Sequence, residues 1–260
     1  MRSERPPVLL AALAIVGVAF FILPLVGLLA RAPWETALGD LTTPEALTAL
    51  RLSFVVSIAA TALALLLGVP LAWVYARVPF RGRDVVRALT TLPMILPPVV
   101  GGVALLFAFG RRGLFGQALD AIGIRLPFTT AGAVLAATFV AMPFLVLTVE
   151  AGLRSMDRRY EDAARTLGAG RWLVFRRVTL PLIAPSVFAG AVLCWARALG
   201  EFGATITFAG NLPGTTQTLP LAVYIALETR PEVAVMLSLV LLAVSLAILI
   251  AMRDRYLRSF

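Results

Sequence analysis

The chain has 260 residues, of which 60% are hydrophobic and 14% charged, and its formal net charge is +9. A soluble domain of this size could not hide so much apolar surface, so the composition predicts an all-α, polytopic membrane protein. All 23 basic residues are arginines, and neither lysine nor histidine occurs. The chain therefore excludes a phosphate-binding P-loop, a serine–histidine–aspartate triad and an HExxH zinc site of its own.

Long apolar runs predict about six membrane-spanning helices. They lie at Val8–Ala30, Ala46–Ala76, Ala88–Gly110, Thr129–Glu150, about Ala184–Thr207 and Val233–Met252. The first run exceeds the apolar core of a cleavable signal peptide, and we interpret it as an uncleaved helix. Thr43-Pro44-Glu45 has the cap, first-turn proline and early acid that mark a helix start, here of the second helix.

The third apolar run contains closely spaced helix-breaking residues. Pro93, Pro97 and Pro98 are followed by Gly101 and Gly102, so this helix is predicted to be kinked or broken. Broken backbone at membrane depth is tolerated where it is buried in protein or lines a cavity. Two interpretations stay open, namely a wall of a transport pathway and a packing kink without a transport role.

A polar, arginine-rich segment at Asp157–Pro185 separates the fourth and fifth helices. Its first part is predicted to be a helix that Asp157 caps and that Gly168 and Gly170 end. One face is apolar and the opposite face is charged. The apolar face comprises Tyr160, Ala163, Ala164 and Leu167, and the charged face includes Glu161, Asp162 and Arg165. Such a helix either lies on anionic lipid headgroups or forms a knob that docks on a partner.

The fifth helix carries two charges inside an apolar run. Arg197 and Glu201 are one helical turn apart on one face, and an intramembrane arginine should face protein or water. The pair either locks helices or subunits together or lines an anion path. Nearby small residues, Gly200, Gly203 and Ala204, offer a surface on which another helix can approach closely.

Two shorter features complete the chain. The run Leu221–Leu227 is too short to span a bilayer and predicts an interfacial or re-entrant helix. The single cysteine, Cys194, predicts a buried thiol and no disulfide framework. We find no convincing internal repeat, so residues 1–260 are expected to form one membrane domain.

The arginines predict the orientation of the chain. Four basic regions fall on one side of the membrane when the amino terminus is cytoplasmic. They are Arg2 with Arg5, the Arg77–Arg87 loop, the Arg154–Arg177 segment, and Arg253, Arg255 and Arg258. Both termini are therefore expected in the cytoplasm, and the net charge fits topology and lipid headgroups better than nucleic acid.

The polar segment resembles the signature loop of bacterial ABC-importer permeases, Glu-Ala-Ala, three residues, Gly, nine residues, Ile, one residue, Leu-Pro. The matching positions are Asp162-Ala163-Ala164, Gly168, Val178 and Leu180-Pro181. Asp162 replaces the usual glutamate, with Glu161 one residue earlier, and Val178 replaces isoleucine. The resemblance implies a type I importer permease whose coupling segment, about 157–183, inserts into a cleft of a separate ATPase. It assigns that role to Glu161, Asp162, Ala163, Ala164, Gly168, Leu180 and Pro181.

A second stretch is similar to the molybdate branch of oxyanion-importer permeases. It comprises Arg197-Ala-Leu-Gly-Glu-Phe-Gly-Ala-Thr205, then Gly210-Asn-Leu-Pro-Gly214, and then Thr216-Gln-Thr-Leu-Pro-Leu-Ala-Val-Tyr224. Sulfate and thiosulfate permeases share its Gly-Glu-Phe-Gly part and are the close alternative. Arg197, Glu201, Gly203, Pro97 and Pro98 are expected at the pathway or a subunit interface.

This resemblance implies a homodimer in the inner membrane of a bacterium or archaeon, in contact with membrane lipids. Its other partners would be an extracytoplasmic binding protein and two ATPase subunits. These subunits would hold ATP and magnesium, with no cofactor in this chain.

Two rival functions are weaker. A proton-coupled carrier could use Glu201 or Glu150, because intramembrane carboxylates serve proton relays. A membrane scaffold would need no docking face at all. Neither rival accounts for the spacing of the signature loop.

Overall fold

In the computed structural model, residues 7–256 are described, apart from the side chains of residues 38 and 251–256. Arg2, Arg5 and Arg258 therefore lie outside the described residues, as do the side chains of Arg253 and Arg255. The described residues form helices joined by loops, without strands. Its helices are α1 Val8–Ala30, α2 Ala37–Leu41, α3 Pro44–Arg77, α4 Arg83–Thr91, α5 Pro98–Phe109, α6 Gly116–Ala121, α7 Thr130–Ser155, α8 Arg159–Thr166, α9 Arg171–Val174, α10 Leu180–Leu199, α11 Gly203–Phe208, α12 Leu219–Thr229 and α13 Pro231–Tyr256.

The all-α fold with about six membrane spans is confirmed. Within residues 7–256, α1, α3, α7, α13 and the continuous segment Arg171–Leu199 are long and apolar enough to cross a bilayer. A bent pair, α4 with its 3-10 turn Leu92–Met94 followed by α5, bends by 117° and makes a sixth span when its two parts are counted together. The predicted break in the third segment is therefore present. α12 has 11 residues and reaches only about 17 Å, too short to span.

Local sequence signals set several helix starts. The Thr43 hydroxyl accepts a hydrogen bond from the Ala46 amide at 3.3 Å, with Pro44 in the first turn, as predicted for the second span. At α7, the Thr129 hydroxyl caps the helix by accepting from the Gly132 amide at 3.1 Å. Each hydroxyl satisfies an amide that the helix itself leaves without a partner.

The core lies between α3, α7 and α10, which pack through small residues. A Cβ added at Gly68 would stand 3.0 Å from Leu145, and one added at Gly190 would stand 3.2 Å from the same side chain. Small residues let helix backbones approach closely where lipid provides no hydrophobic drive between them. Trp195 further links α10 to α3, because its indole donates to the Ser57 hydroxyl at 3.0 Å. The core also contains buried Cys194, a free thiol as predicted.

The fifth span differs from its prediction at both ends. It begins at Arg171 rather than about Ala184, because α9 continues through a π-helical turn, Phe175–Thr179, into α10. This wide turn ends two residues before Pro181, where the ring removes a backbone donor. At the other end, α10 stops at Leu199 instead of reaching Thr207, and a separate short helix, α11, follows.

Candidate functional site

The break after α10 is built around the carboxylate of Glu201. Its Oε2 lies 2.6 Å from Nη1 of Arg197, and its Oε1 accepts a hydrogen bond from the Ala204 amide at 2.9 Å. The Glu201 side chain is 2% exposed, whereas that of Arg197 is 29% exposed. One carboxylate thus neutralises an arginine and caps the first turn of α11. The two charges share a face as predicted, although Glu201 lies just beyond the end of α10.

α11 packs very closely against α5 of the same chain. A Cβ at Gly203 would meet the Pro98 side chain at 2.8 Å, and one at Gly102 would meet the Ala204 carbonyl oxygen at 2.9 Å. The close-approach surface expected at Gly203 and Ala204 is therefore filled within the chain. Gly200 stays exposed, with only its own helix nearby.

The prolines of the third segment lie on both sides of its bend. Pro97 is the residue before α5 and Pro98 begins that helix, and both are exposed at the surface of the chain. The structure brings Pro98 to Gly203, so the bend contacts the break that Glu201 organises. Two interruptions of regular helix, one from each half of the chain, thus lie side by side.

The loop before α12 is held by Thr216 of the second resemblance motif. The Thr216 hydroxyl accepts from the Leu212 amide at 2.9 Å and donates to the Gly210 carbonyl at 3.2 Å. The Leu219 amide donates to the Ser53 hydroxyl at 2.6 Å, which fixes the start of α12 on α3.

Aromatic packing fixes the other end of this motif. The Tyr224 ring packs against Phe202, with ring centroids 5.2 Å apart. The motif therefore places α12 against the same break as Glu201.

The predicted start of α8 is one residue off, because Arg158 rather than Asp157 precedes the helix, whereas Gly168 follows it as predicted. The Asp157 carboxylate accepts a hydrogen bond from the Arg159 amide at 2.9 Å, at the start of α8. Gly168 follows the helix with φ of +84°, in the left-handed region that favours glycine. Gly170 is extended, so only the first of these glycines is required by backbone conformation.

The position of Glu161 differs from the prediction of a solvated charged face on α8. We expected it to be solvated beside Arg165, but its side chain is 4% exposed and its Oε2 lies 3.0 Å from Nε of Arg77, at the end of α3. The Thr179 hydroxyl donates to its Oε1 at 2.7 Å. Arg165 instead pairs with Asp162 at 3.3 Å, a largely solvated contact. Burial at a junction of three elements decided the partner of Glu161.

The opposite face of α8 is open. Leu167 is 88% exposed and Tyr160 is 58% exposed, while Ala163 is exposed and Ala164 is partly buried. An exposed apolar face on a helix that is anchored from behind is suited to binding another protein. Leu180 and Pro181 lie apart from this face, in the first turn of α10 beyond the π-helical turn.

A third buried carboxylate, Glu150, forms an ion-pair cluster that was not predicted from the sequence. Glu150 is 1% exposed and lies 2.7 Å from Nη2 of Arg154 and 3.0 Å from Nε of Arg87. The Glu150–Arg154 spacing of four residues was a visible sign of half of this cluster. Arg87 is on α4, so the cluster fastens the amphipathic start of the bent span to α7. Among the described residues, no group of three or more side chains could hold a metal ion.

Comparison with known proteins places this arrangement in a family. Residues 64–258 match the family described as the binding-protein-dependent transport system inner membrane component. The chain belongs to this permease family. As a permease, it is a membrane-spanning subunit and not an enzyme, and ATP hydrolysis belongs to a separate ATPase.

Individual relatives refine the comparison. The permease is 50% identical over 244 residues to the molybdenum transport system permease protein ModB of Mycobacterium tuberculosis, covering 93% of this chain and 92% of that one. It is 35% identical over 232 residues to the sulfate transport system permease protein CysT of Escherichia coli, covering 88% and 84%. Its fold matches a bacterial alginate ABC transporter solved with an alginate-bound periplasmic protein, at a TM-score of 0.73 and 20% identity over 95% of this chain and 94% of that one.

Proposed function

We propose that this permease is the membrane-spanning subunit of an ATP-driven importer for molybdate or tungstate. The higher identity to relatives named for molybdenum transport than to a sulfate permease supports this substrate. In the proposed assembly, a binding protein delivers the anion from outside and two copies of the permease form the pathway. Two ATPase subunits act from the cytoplasm, where both termini also lie. Sulfate is the second candidate, because the sulfate permease matches over most of its length.

The observation that carries the ATP-driven mechanism is the anchored apolar face of α8. Covering Leu167 by an ATPase would contribute about 1.5–3 kcal/mol from that side chain alone. The small side chains of Ala163 and Ala164 allow a partner to approach the helix closely. The docking residues are thus Ala163, Ala164, Leu167 and Gly168, with Glu161 as their anchor.

Glu161 connects the proposed docking helix to the membrane-spanning helices. Glu161 contacts Arg77 of α3 and Thr179, one residue before α10. A displacement of α8 would therefore be transmitted to both α3 and α10. Because the buried pair would lose its compensation if it separated, we expect these elements to move together.

The Arg197–Glu201 pair is proposed to lie beside the anion path. Pairing lowers the cost of an intramembrane arginine, while 29% exposure leaves part of the Arg197 side chain accessible. The second copy is proposed to cover exposed apolar residues of the bent span, where Ile95 is 83% and Phe107 is 73% exposed. Pro97 and Pro98 lie between these residues.

Docking can be tested by Leu167→Glu, with Leu114→Glu as the control of matched exposure. The two leucines are 88% and 86% exposed, but Leu114 is in the loop before α6. We expect Leu167→Glu to reduce co-purification of the ATPase at least tenfold, whereas the control should retain it. Undiminished co-purification and stimulated ATP hydrolysis in Leu167→Glu would contradict docking through this face.

The substrate can be tested by uptake into vesicles that contain the assembled transporter and its binding protein. Labelled molybdate uptake should be inhibited by tungstate at concentrations at which sulfate has little effect. Inhibition by sulfate at lower concentration than tungstate would identify the sulfate alternative. Uptake that persists without the ATPase and collapses with an uncoupler would identify a proton-coupled carrier instead.

A further inference from the structure

The face of α8 that points away from the proposed docking surface borders a cleft of about 450 Å³. The cleft lies between α8, the end of α3 and the segment that leads into α10. Its charged lining comprises Arg77, Arg158, Arg165, Arg171, Glu161 and Asp162. The cleft does not include the Arg197–Glu201 pair, so a ligand bound here would occupy a different site from the proposed path of the transported ion.

The charges of this cleft do not cancel. Glu161 is paired with Arg77, and Asp162 is paired with Arg165. Arg158 and Arg171 have no carboxylate within ion-pair distance in the part of the chain that the structure describes. Arg158 donates one bond, from Nη2 to the Ala76 carbonyl at 3.1 Å. Two positive charges thus remain after the internal pairs are counted.

A buried donor in the same cleft also has no acceptor. The Arg77 side chain is 7% exposed, and its Nη2 atom is buried without a hydrogen-bond partner among the described residues. The Nε of the same guanidinium group is fully used by Glu161. A buried donor is costly when it is left unpaired, so the arrangement favours an additional acceptor. This acceptor should be an anion, because two uncompensated guanidinium groups surround the same space.

The remaining wall of the cleft is apolar and aromatic. It includes Trp73, Val174 and Phe175, and the Trp73 and Phe175 rings meet edge to face with centroids 6.3 Å apart. We infer that this cleft binds a phosphate group. Guanidinium groups match phosphate oxygens through paired N–H donors, and several arginines around one space can engage different oxygens of a single phosphate. The headgroup of an anionic phospholipid and free inorganic phosphate are the two sources of this chemistry.

The bound phosphate would contact the face of α8 opposite the proposed docking surface. Phosphate bound between Arg158 and Arg171 would connect the start of α8 with the start of α9. It would hold the turn that contains Gly168 without covering Leu167, which lies on the opposite face of α8.

The test uses the assembled transporter in nanodiscs and the variant Arg171→Gln. Arg171 is exposed at the start of α9 and makes no hydrogen bond or ion pair among the described contacts, so its replacement should spare the fold. The double variant Arg158→Gln/Arg171→Gln removes both uncompensated charges. The control is Arg176→Gln/Arg177→Gln, which removes the same charge from exposed residues that do not line the cleft.

One arm measures binding of inorganic phosphate by calorimetry in phosphatidylcholine nanodiscs. The other counts retained phosphatidylglycerol by native mass spectrometry after release from mixed-lipid nanodiscs. We expect Arg171→Gln to weaken binding about tenfold in one arm. This change corresponds to the loss of roughly one charge-assisted hydrogen bond. The control should change binding less than about twofold. An effect in the first arm identifies free phosphate, and an effect confined to the second identifies a lipid headgroup. Equal behaviour of the cleft variants and the control in both arms, or no binding in either, would overturn the inference.

Discussion

Replacing Glu161 tests whether the anchor of α8 is the residue that the structure identifies. The Glu161 side chain is 4% exposed and the Arg77 side chain 7% exposed, so Glu161→Ala would leave a guanidinium charge buried beside the Thr179 hydroxyl. Removing one partner of a buried pair costs about 3–5 kcal/mol. In a chain of this size, that loss corresponds to a fall of about 6–20 °C in the unfolding midpoint.

Asp162→Ala is the matched comparison, because the signature pattern places its acidic position there. Asp162 and its partner Arg165 are 67% and 50% exposed, and an exposed pair of this kind contributes at most about 1 kcal/mol. Thermal unfolding of the purified protein in detergent, followed by tryptophan fluorescence, measures both variants. The expected fall for Asp162→Ala is below about 4 °C.

A paired replacement separates buried charge from lost packing. Arg77→Met combined with Glu161→Leu removes both charges and keeps apolar volume, a change that is often neutral or stabilising at buried pairs. We therefore expect the double variant to recover most of the stability that Glu161→Ala loses. Equal losses for Glu161→Ala and Asp162→Ala would refute the assignment of Glu161 as the anchor, since the structure gives only one of them a buried partner.

Three further substitutions have expected outcomes. Gly203→Ala should lose about 1–3 kcal/mol of stability in thermal unfolding, because the added Cβ would lie 2.8 Å from a proline side chain of α5, whereas Gly200→Ala has room and should be nearly neutral. Gly168→Val should lose about 1–2 kcal/mol and weaken ATPase co-purification, whereas Gly168→Asn should lose less, because its φ of +84° suits asparagine better than valine. Arg197→Ala should lower both yield and uptake, because Glu201, 2% exposed, would remain as a buried carboxylate without a cation, held only by the Ala204 amide. Arg197→Lys should restore part of both. Normal uptake in Arg197→Ala would contradict this role.

Features that depend on neighbours along the chain could be predicted from sequence. The lengths of the apolar runs give the spans, because a helix must be long enough to cross the hydrocarbon core. Thr43 caps α3, and Gly168 takes the left-handed conformation after α8. The bend near Pro97 follows from the missing backbone donors of proline. Each of these outcomes is decided within a few residues.

The ends of the fifth span could not be predicted from its apolar run alone. Hydrophobicity continues past Leu199, yet the helix stops there and the Glu201 carboxylate caps the next helix instead. The expectation that the span starts near Ala184 was also wrong, because a π-helical turn carries the helix into Pro181. In both places, a specific hydrogen-bond arrangement outweighs the general preference for continuing or stopping a helix.

Sequence alone therefore determined the class of protein, the segments that are long and apolar enough to span the membrane, and the position of the α8 helix. Only the tertiary structure decided which carboxylates are buried and what they hold. Glu161 had an arginine at helical spacing in Arg165, but its partner is Arg77, 84 residues away. The physical reason is that ion pairing in water is worth little, whereas a buried carboxylate must be neutralised by whichever cation the packing of three elements brings to it.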